Sequence, residues 1–242
     1  MSTAPANPLP TPARRAPVPP LENGDHLSRP EFERRFDSTA GLKKAELIEG
    51  VVYMPPPVSH DGHSRPHFNV IGLLSAYTLA TPGVEGGDNG SLRLDLDNMP
   101  QPDVYLLIPP GLGGQARVDA DGYVEGAPEF VLEIAATSAS MDLHHKLAIY
   151  RRSGVREYVV WRTLEDRVDY FALVDGEYRP VPPAATGEHR SLVLPGLWLD
   201  AAAVVRGDWV AAARTMQAGL ASAEHAAFVG DLQKRAAAAP RP

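Results

Sequence analysis

The chain of 242 residues contains no cysteine, which excludes disulfides, thiolate zinc sites and cysteine nucleophiles. It also lacks an apolar run of about 18 residues that could cross a bilayer, and its N-terminal segment lacks the apolar core of a signal peptide. These absences predict a soluble, cytoplasmic protein with no membrane partner. An excess of basic charge is missing as well, since 30 acidic residues against 23 basic ones give a net charge of -7. Any contact with nucleic acid must therefore depend on a local cluster.

Several catalytic motifs are absent too. No GxSxG motif supports a serine nucleophile, and no HExxH motif supports a zinc protease. The glycine-rich segment GVEGGDNGS lacks the Lys and the following Ser or Thr of a phosphate-binding loop. The DADG segment at 119–122 lacks the final Glu of a calcium loop. We expect both segments to be loops, the first of which could face an active site.

Proline, by contrast, is abundant, and seven of the 24 prolines lie within the first 20 residues. With almost no large apolar side chain, this segment cannot offset its ordering entropy by burial. We predict a disordered tail over 1–25, with a proline-rich ligand for a recognition domain as the less favoured interpretation. An α/β domain is predicted over 26–205, and an Ala-rich helical extension over 206–242.

Hydrophobic periodicity supports the α/β class, with a mixed central sheet flanked by helices. Helices are predicted after the capping-box pattern of Ser28 and Glu31, at about 67–81, at 140–152 behind Ser140, and through the Ala-rich end to about 239. Strands are predicted in ELIEGVVYM, as a hairpin turning at Glu49-Gly50, in SLRLDLD, at 104–108, at 130–134, and in EYVVW and RVDYFALV, with a hairpin turn at Asp175-Gly176.

Two carboxylates lie in or beside apolar strands. Asp103 precedes VYLLI, and Glu133 lies within FVLEI about 30 residues later. Carboxylates are rarely buried without a partner, so this pair is a natural ligand set for a hard cation such as Mg²⁺. A structural interpretation stays open, in which Asp103 caps a turn and Glu133 pairs with Arg or Lys.

Lys146 and Glu46 are possible additions to this site. Lys146 lies on the helix after Glu133, where it could stabilise developing negative charge. The alternative is a solvated Lys146 paired with Asp142 four residues earlier. Glu46 could supply a third carboxylate, or simply lie on the polar face of its strand.

The segment HDGHSRPH places His60, His63 and His67 at spacings of three and four residues. Such spacings resemble zinc-ligand spacing, and Asp61 could complete a site. Because Gly62 and Pro66 should break a continuous helix, a loop bordering the active site is the favoured interpretation.

These segments together resemble a known family. ELIEGVVYMPPP, His63 before an amphipathic helix, QPDVYLL, FVLEIA and DLHHKLAIYRRSGVREYVVW are similar, in that order, to the Uma family of restriction-endonuclease-like proteins within the PD-(D/E)XK nuclease superfamily. The resemblance covers roughly 26–205. It implies a restriction-endonuclease-like α/β core, binding of Mg²⁺ or Mn²⁺, and hydrolysis of phosphodiester bonds.

The resemblance also implies roles for individual residues. Asp103 and Glu133 would be the metal-binding acids, and Glu46 would join them. The Lys expected two residues after Glu133 is Ala135. Lys146, in the D-x-x-x-K-x-x-x-Y segment, would substitute for it if its helix packs over the end of the sheet.

The leading hypothesis is therefore a metal-dependent endonuclease acting on nucleic acid, with DNA as the expected substrate. His63 would contact a phosphate or take part in proton transfer. The candidate nucleic-acid contacts are two basic clusters, one with Arg151 and Arg152 and the other with Lys43 and Lys44. A homodimer is expected. The alternatives are a catalytically inactive nuclease-like module for binding or dimerisation, and a zinc hydrolase built on the histidines.

Overall fold

The computed structural model describes residues 17–238, which form an α/β fold around a six-stranded mixed sheet. The helices are α1 Arg29–Ser38, α2 Arg65–Ala80, α3 Leu147–Ser153, α4 Ala201–Arg206, α5 Trp209–Leu220 and α6 Ala223–Ala238. The strands are β1 Glu46–Ile48, β2 Val51–Tyr53, β3 Glu85–Asp88, β4 Leu92–Arg93, β5 Val104–Leu107, β6 Arg117–Val118, β7 Val124–Glu125, β8 Phe130–Ala135, β9 Glu157–Arg162, β10 Arg167–Val174, β11 Glu177–Pro180, β12 His189–Arg190 and β13 Trp198–Leu199. Wide helical turns at His60–Ser64 and Met141–Lys146 lead into α2 and α3.

The main sheet has the order β11-β10-β9-β8-β5-β3. Its strands are antiparallel except for the central pair β8 and β9. Parallel neighbours need a crossover connection, and α3 with its preceding turn provides it. The predicted mixed sheet flanked by helices is confirmed.

The two faces of the sheet are covered by different helices. On one face Leu132 of β8 belongs to the same core as Leu74 of α2, Met216 of α5 and Leu232 of α6. On the other face Val131 and Ala135 of β8 pack with Tyr150 of α3, and with Tyr158 and Val160 of β9. Since side chains alternate along a strand, Glu133 lies on the face that α3 covers.

Both predicted hairpin turns are present. Glu49 and Gly50 connect β1 and β2 with φ angles of 53° and 75°, and Asp175 and Gly176 connect β10 and β11 with 52° and 79°. Positive φ at both central residues is typical of the type I′ turn, which suits the twist of a two-residue hairpin. The first hairpin forms a separate two-stranded sheet that brings Glu46 towards the main sheet.

The strand predicted in SLRLDLD is correct only at Leu92–Arg93. Asp95 accepts hydrogen bonds on Oδ1 from the Asp97 amide and from the Asn98 side chain, at 2.8 Å each. An aspartate that bonds its own following backbone forms a turn instead of a ladder. As a result Leu96 is exposed, although the alternation predicts it on a buried face.

The packed chain extends beyond the predicted domain at both ends. The predicted tail falls outside the described residues up to residue 16, but Leu21 is only 4% exposed and packs with Phe32 and Leu47. In the predicted extension, Met216 and Leu232 share the core of the main sheet. None of the helices between residues 17 and 238 combines the length and apolar character that a bilayer crossing requires.

Candidate active site

Asp103 and Glu133 meet at one end of the central sheet. Val104 of β5 pairs with Leu132 of β8 in antiparallel register, so the residues just beyond this pair face each other across the two strands. The Asp103 amide lies 3.4 Å from Glu133 Oε2, and the side chains share the face that α3 covers. Both residues are buried, at 4% and 3% exposure. The structure thus brings together the two acids that the sequence placed about 30 residues apart.

Asp103 is held in its ionised form by its hydrogen bonds. Its Oδ2 accepts a bond from the Ile134 amide at 2.7 Å, and its Oδ1 lies 3.0 Å from His63 Nε2. Burial alone would raise the pKa of Asp103, but the bond and charge of His63, the Ile134 amide and the charge of Lys44 outweigh it and lower that pKa. Asp103 is therefore suited to bind a cation at neutral pH.

His63 reaches Asp103 because the HDGHS segment is helical, contrary to the sequence expectation. His60–Ser64 forms a wide turn that continues into α2. Pro66 is the second residue of α2, directly after the wide turn in which the Arg65 N–H bonds to the His60 carbonyl five residues earlier instead of following the regular α-helical pattern. His67 Nε2 donates to the Asp103 carbonyl at 2.9 Å, so two histidines fix the position of Asp103.

These histidines do not form the zinc site that their spacing resembles. His63 and His67 both bond to Asp103, and His60 is exposed. Within residues 17–238 no three His, Cys, Asp or Glu side chains are arranged around a single metal position. The same finding covers Asp103, Glu133 and Glu46, the three acids predicted to bind metal. A lysine ammonium lies beside two of them.

That ammonium belongs to Lys146, which is 5% exposed. Its Nζ lies 2.8 Å from Glu46 Oε1, 3.0 Å from Glu133 Oε1 and 3.7 Å from Asp142 Oδ1. Burial opposes the charged form, but these carboxylates outweigh it and raise the pKa of Lys146 well above its usual value. The turn before α3 therefore brings Lys146 to Glu133, whereas Ala135 occupies the position at which the superfamily pattern has its Lys. The alternative of a solvated Lys146 is wrong, although the contact to Asp142 exists.

Glu133 has a different environment from Asp103. Its Oε1 accepts hydrogen bonds from Lys146 Nζ and from the Tyr150 hydroxyl, at 3.0 Å each. Burial raises the pKa of Glu133 well above its usual value; Lys146 opposes this, and the charges of Asp142, Asp103 and Glu46 add to it. The carboxyl group of Glu133 is therefore stabilised by taking up a proton, or by a cation that binds beside it in addition to the Lys146 ammonium.

Sequence reasoning gave no role in the site to two residues of the D-x-x-x-K-x-x-x-Y segment, Asp142 and Tyr150. Asp142 is buried, and it accepts a bond on Oδ2 from Ser138 at 2.6 Å. Burial raises its pKa, while Lys146 and Ser138 oppose the shift. Asp142, Lys146 and Tyr150 are spaced by four residues, which places them on one helical face. That spacing was the available signal, and it identifies the face that covers the acids.

A pocket of about 280 Å³ opens onto this cluster. Its charged lining residues are Lys44, Glu46, Asp103, Glu133, Asp142 and Lys146, and His63, Ser138 and 55–57 also line it. The lining holds four carboxyl groups and two ammonium groups. Hard oxygen donors in excess over positive charge suit Mg²⁺ or Mn²⁺. The donor types therefore suit such an ion, although no three of these acids surround a single metal position within residues 17–238.

The predicted nucleic-acid contacts do not gather at this pocket. Lys44 lines it, and its Nζ donates to Asn89 Oδ1 at 2.9 Å. Lys43 is exposed outside the lining. Arg151 pairs with Glu177 at 2.7 Å, and Arg152 with Glu49 at 3.2 Å. Of these four basic residues, Lys44 alone is among the residues that line the pocket.

Comparisons with known proteins agree with this fold. A solved structure from Anabaena variabilis ATCC 29413, described as a "putative nuclease belonging to DUF820", superposes with a TM-score of 0.52 at 15% sequence identity. The match covers 74% of this chain and 99% of the other. It shows a restriction-endonuclease-like fold. A search of curated proteins finds no match.

The family assignment comes from a family model instead. The model named Uma2, with the description "Putative restriction endonuclease", matches residues 29–202. That range is well over half of the chain, and it contains both sheet acids and Lys146. This protein therefore belongs to the Uma2 family of restriction-endonuclease-like proteins.

Proposed function

We propose that this protein is a Mg²⁺- or Mn²⁺-dependent endonuclease that hydrolyses phosphodiester bonds in DNA. The observation that carries the proposal is the convergence of Asp103, Glu133, Glu46 and Lys146 at the bottom of one pocket. Membership in the family supports a nuclease-like function in general. The acid cluster supports the metal-dependent reaction in particular.

Asp103 and Glu133 would hold the ion, and Glu46 would complete or orient the ligand set. When bound, the ion would act as a Lewis acid on the phosphodiester. Asp103 is already fixed by Ile134 and His63, so its carboxylate is oriented before the ion arrives. Preorganised charge of this kind avoids a reorganisation cost during the reaction.

Lys146 and His63 would act on the substrate. Lys146 carries its positive charge within 3.0 Å of Glu46 and Glu133, where it can donate a hydrogen bond to a phosphate oxygen or to the attacking water. His63 borders the pocket, where it can donate a hydrogen bond to a phosphate or take part in proton transfer, and its hydrogen bond with Asp103 orients the ring. Substrate entry would then replace part of the ion-pair network around Lys146.

A catalytically inactive binding module is the second candidate. Lys146 already neutralises part of the acid cluster and lies where a cation would otherwise interact with Glu46 and Glu133. In such a protein the ion pair would be structural, and the pocket would bind a ligand without cleaving it. Cytoplasmic localisation and a homodimer stay predictions.

Calorimetric titration of Mn²⁺, Mg²⁺ and Zn²⁺ into the purified protein separates these candidates. We expect wild type to bind Mn²⁺, and Asp103→Asn and Glu133→Gln to lose that binding, because each variant removes a charged ligand. Glu177→Gln is the matched control, since Glu177 pairs with Arg151 on an exposed surface. Its binding should equal that of wild type.

Two results would argue against the endonuclease. Absence of Mn²⁺ and Mg²⁺ binding, both alone and with a DNA oligonucleotide present, would favour the inactive module. Zinc binding that survives both substitutions would return attention to the histidines.

The basic residues give a further prediction. Lys44→Ala should weaken DNA binding more than Arg151→Ala does, because Lys44 lines the pocket whereas Arg151 is paired with Glu177. Removing one interaction with a phosphate lowers the slope of log affinity against log salt by about 0.9 for duplex DNA. Fluorescence anisotropy at several salt concentrations measures both effects. Equal weakening by the two variants would contradict the geometric distinction.

A further inference from the structure

A second cavity, the flanking cavity, lies beside the turn that carries His63. It has a volume of about 490 Å³, and the residues that matter for its chemistry are Arg65, Asn69, Thr163, Arg206 and Trp209. This volume is within the range of about 300–1,000 Å³ that is typical of ligand pockets. Its lining is distinct from that of the active-site pocket.

The turn His60–Ser64 separates the flanking cavity from the active-site pocket. His63 lines the active-site pocket, whereas Asp61 lines the flanking cavity. The turn is held in place by Thr163, whose Oγ1 donates to the Gly62 carbonyl at 2.7 Å. The Thr163 amide in turn donates to the Ala135 carbonyl at the end of β8, the strand of Glu133. A polymer that crosses this turn therefore passes from one cavity to the other.

The lining of the flanking cavity combines an aromatic wall with two guanidinium groups. Trp209 packs edge-to-face on the buried Trp161, with a centroid distance of 5.9 Å, and is itself only partly buried. Arg206 is exposed, and Arg65 forms an ion pair with Asp61 at 3.2 Å, in which both side chains are more than half exposed. Exposed pairs of this kind contribute little energy, so Arg65 can exchange partners readily.

These groups match the chemistry of one nucleotide. An indole face can stack on a base of any sequence, guanidinium groups bind phosphate in a bidentate manner, and Asn69 and Thr163 offer hydrogen bonds to sugar or base edges. Asp61 and Asp166 balance the two arginines in formal charge. Stacking and geometry, instead of a basic field, would therefore provide the affinity.

We propose that the flanking cavity binds a nucleotide of the substrate strand next to the cleaved bond, with its base on Trp209 and its phosphate on Arg65 and Arg206. This inference rests on the proposed nuclease function, because it names the path of the substrate beyond the active site. In this arrangement the flanking cavity binds a single strand and positions the phosphodiester bond at the acids of the active site.

The test is anisotropy of a fluorescein-labelled single-stranded oligonucleotide with the full chain, in Ca²⁺ to prevent cleavage. Trp209→Ala should weaken binding about tenfold, because stacking contributes about 1–3 kcal/mol per base and 1.4 kcal/mol is a factor of ten. The double variant Arg65→Gln/Arg206→Gln should lower the slope of log affinity against log salt by about 0.7 for each phosphate that the arginines would otherwise bind. Trp209→Phe should retain most of the affinity.

Controls separate this inference from the nuclease proposal. Arg34→Gln, at an exposed arginine of α1 paired with Glu31, should bind like wild type, and Mn²⁺ titrations should be unchanged in every variant. If Trp209→Ala fails to fold, the two exposed arginines carry the test. Unchanged oligonucleotide binding in the arginine double variant and in a folded Trp209 variant would overturn the inference and leave the nuclease proposal intact. Failure of wild type to bind the single-stranded oligonucleotide would overturn the inference, and failure to bind duplex DNA as well would also overturn the nuclease proposal.

Discussion

Lys146→Met is expected to lower the free energy of unfolding by about 3–5 kcal/mol at neutral pH, because removing one partner leaves buried charges uncompensated. Glu46, Glu133 and Asp142 all lie within 4 Å of the Lys146 ammonium. Methionine keeps the length and flexibility of the side chain but cannot neutralise these acids. Urea denaturation followed by circular dichroism, in chelator to remove metal ions, measures the effect.

Lys234→Met is the matched control for this substitution. Lys234 also pairs with an aspartate, Asp231 at 3.0 Å, but its side chain is 81% exposed. Exposed ion pairs are worth about 0–1 kcal/mol, so this variant should unfold almost like wild type. Similar stability losses in the two variants would mean that Lys146 does not neutralise the buried acids.

Lys146→Met should also reduce the rate of cleavage by at least about 10²-fold, which is the typical effect of losing one preorganised hydrogen-bond donor to a transition state. Conditions in which the variant is fully folded, checked by the denaturation curve, separate this loss from instability. A folded Lys146→Met variant that cleaves at the wild-type rate would leave Lys146 with a structural role only.

The central acids were predictable from the sequence, whereas their surroundings were not. Asp103 and Glu133 each lie in or beside a strongly apolar strand, and the burial of a carboxylate there indicates a partner. The contact of Lys146 with them depends on how the helix between β8 and β9 docks on the sheet. Local periodicity carries no information on such docking. For the same reason the sequence did not show that Asp142 is buried beside Lys146.

Local competition explains the errors in secondary structure. The alternation in SLRLDLD is that of a strand, but the Asp95 side chain captures the following backbone and forms a turn. Gly62 and Pro66 are typical helix breakers, yet both lie in helical backbone, because the wide turn at His60–Ser64 replaces the regular α-helical pairing directly before Pro66. In both cases a single side chain or position within the element decided the outcome.

Asp103→Asn and Glu133→Gln are expected to abolish metal binding alike but to change the stability of the metal-free protein differently. Asp103 has a lowered pKa, because its bonds from His63 and Ile134 favour the ionised form over the effect of burial. Charge-assisted bonds are worth about 1.5–3 kcal/mol each, so Asp103→Asn should destabilise the fold by an amount of that order. Glu133 has a raised pKa, mainly because it is buried. Glu133→Gln should therefore leave the stability at neutral pH unchanged or increased.

The pH dependence of the free energy of unfolding shows independently whether each of the two carboxylates stabilises or destabilises the fold. A lowered folded-state pKa contributes stability that is present above the ordinary pKa of 3.8 and is lost as the pH falls through the folded value. The difference between wild type and Asp103→Asn should therefore shrink in acid. A raised folded-state pKa contributes stability that is present below the ordinary value of 4.5 and is lost as the pH rises through the folded value. Relative to Glu133→Gln, wild type should therefore lose stability as the pH rises.

Both variants should also lose cleavage by at least about 10²-fold, since metal catalysis contributes several kcal/mol. Glu133→Gln would then be an inactive protein at least as stable as wild type, which is the pattern expected when a functional site holds an acid at a cost in stability. Chemical denaturation from acidic to mildly alkaline pH, in chelator, tests the paired prediction. Equal destabilisation by the two variants at neutral pH would mean that the ion pair with Lys146 outweighs the cost of burying Glu133, and that the fold does not store this cost for metal binding.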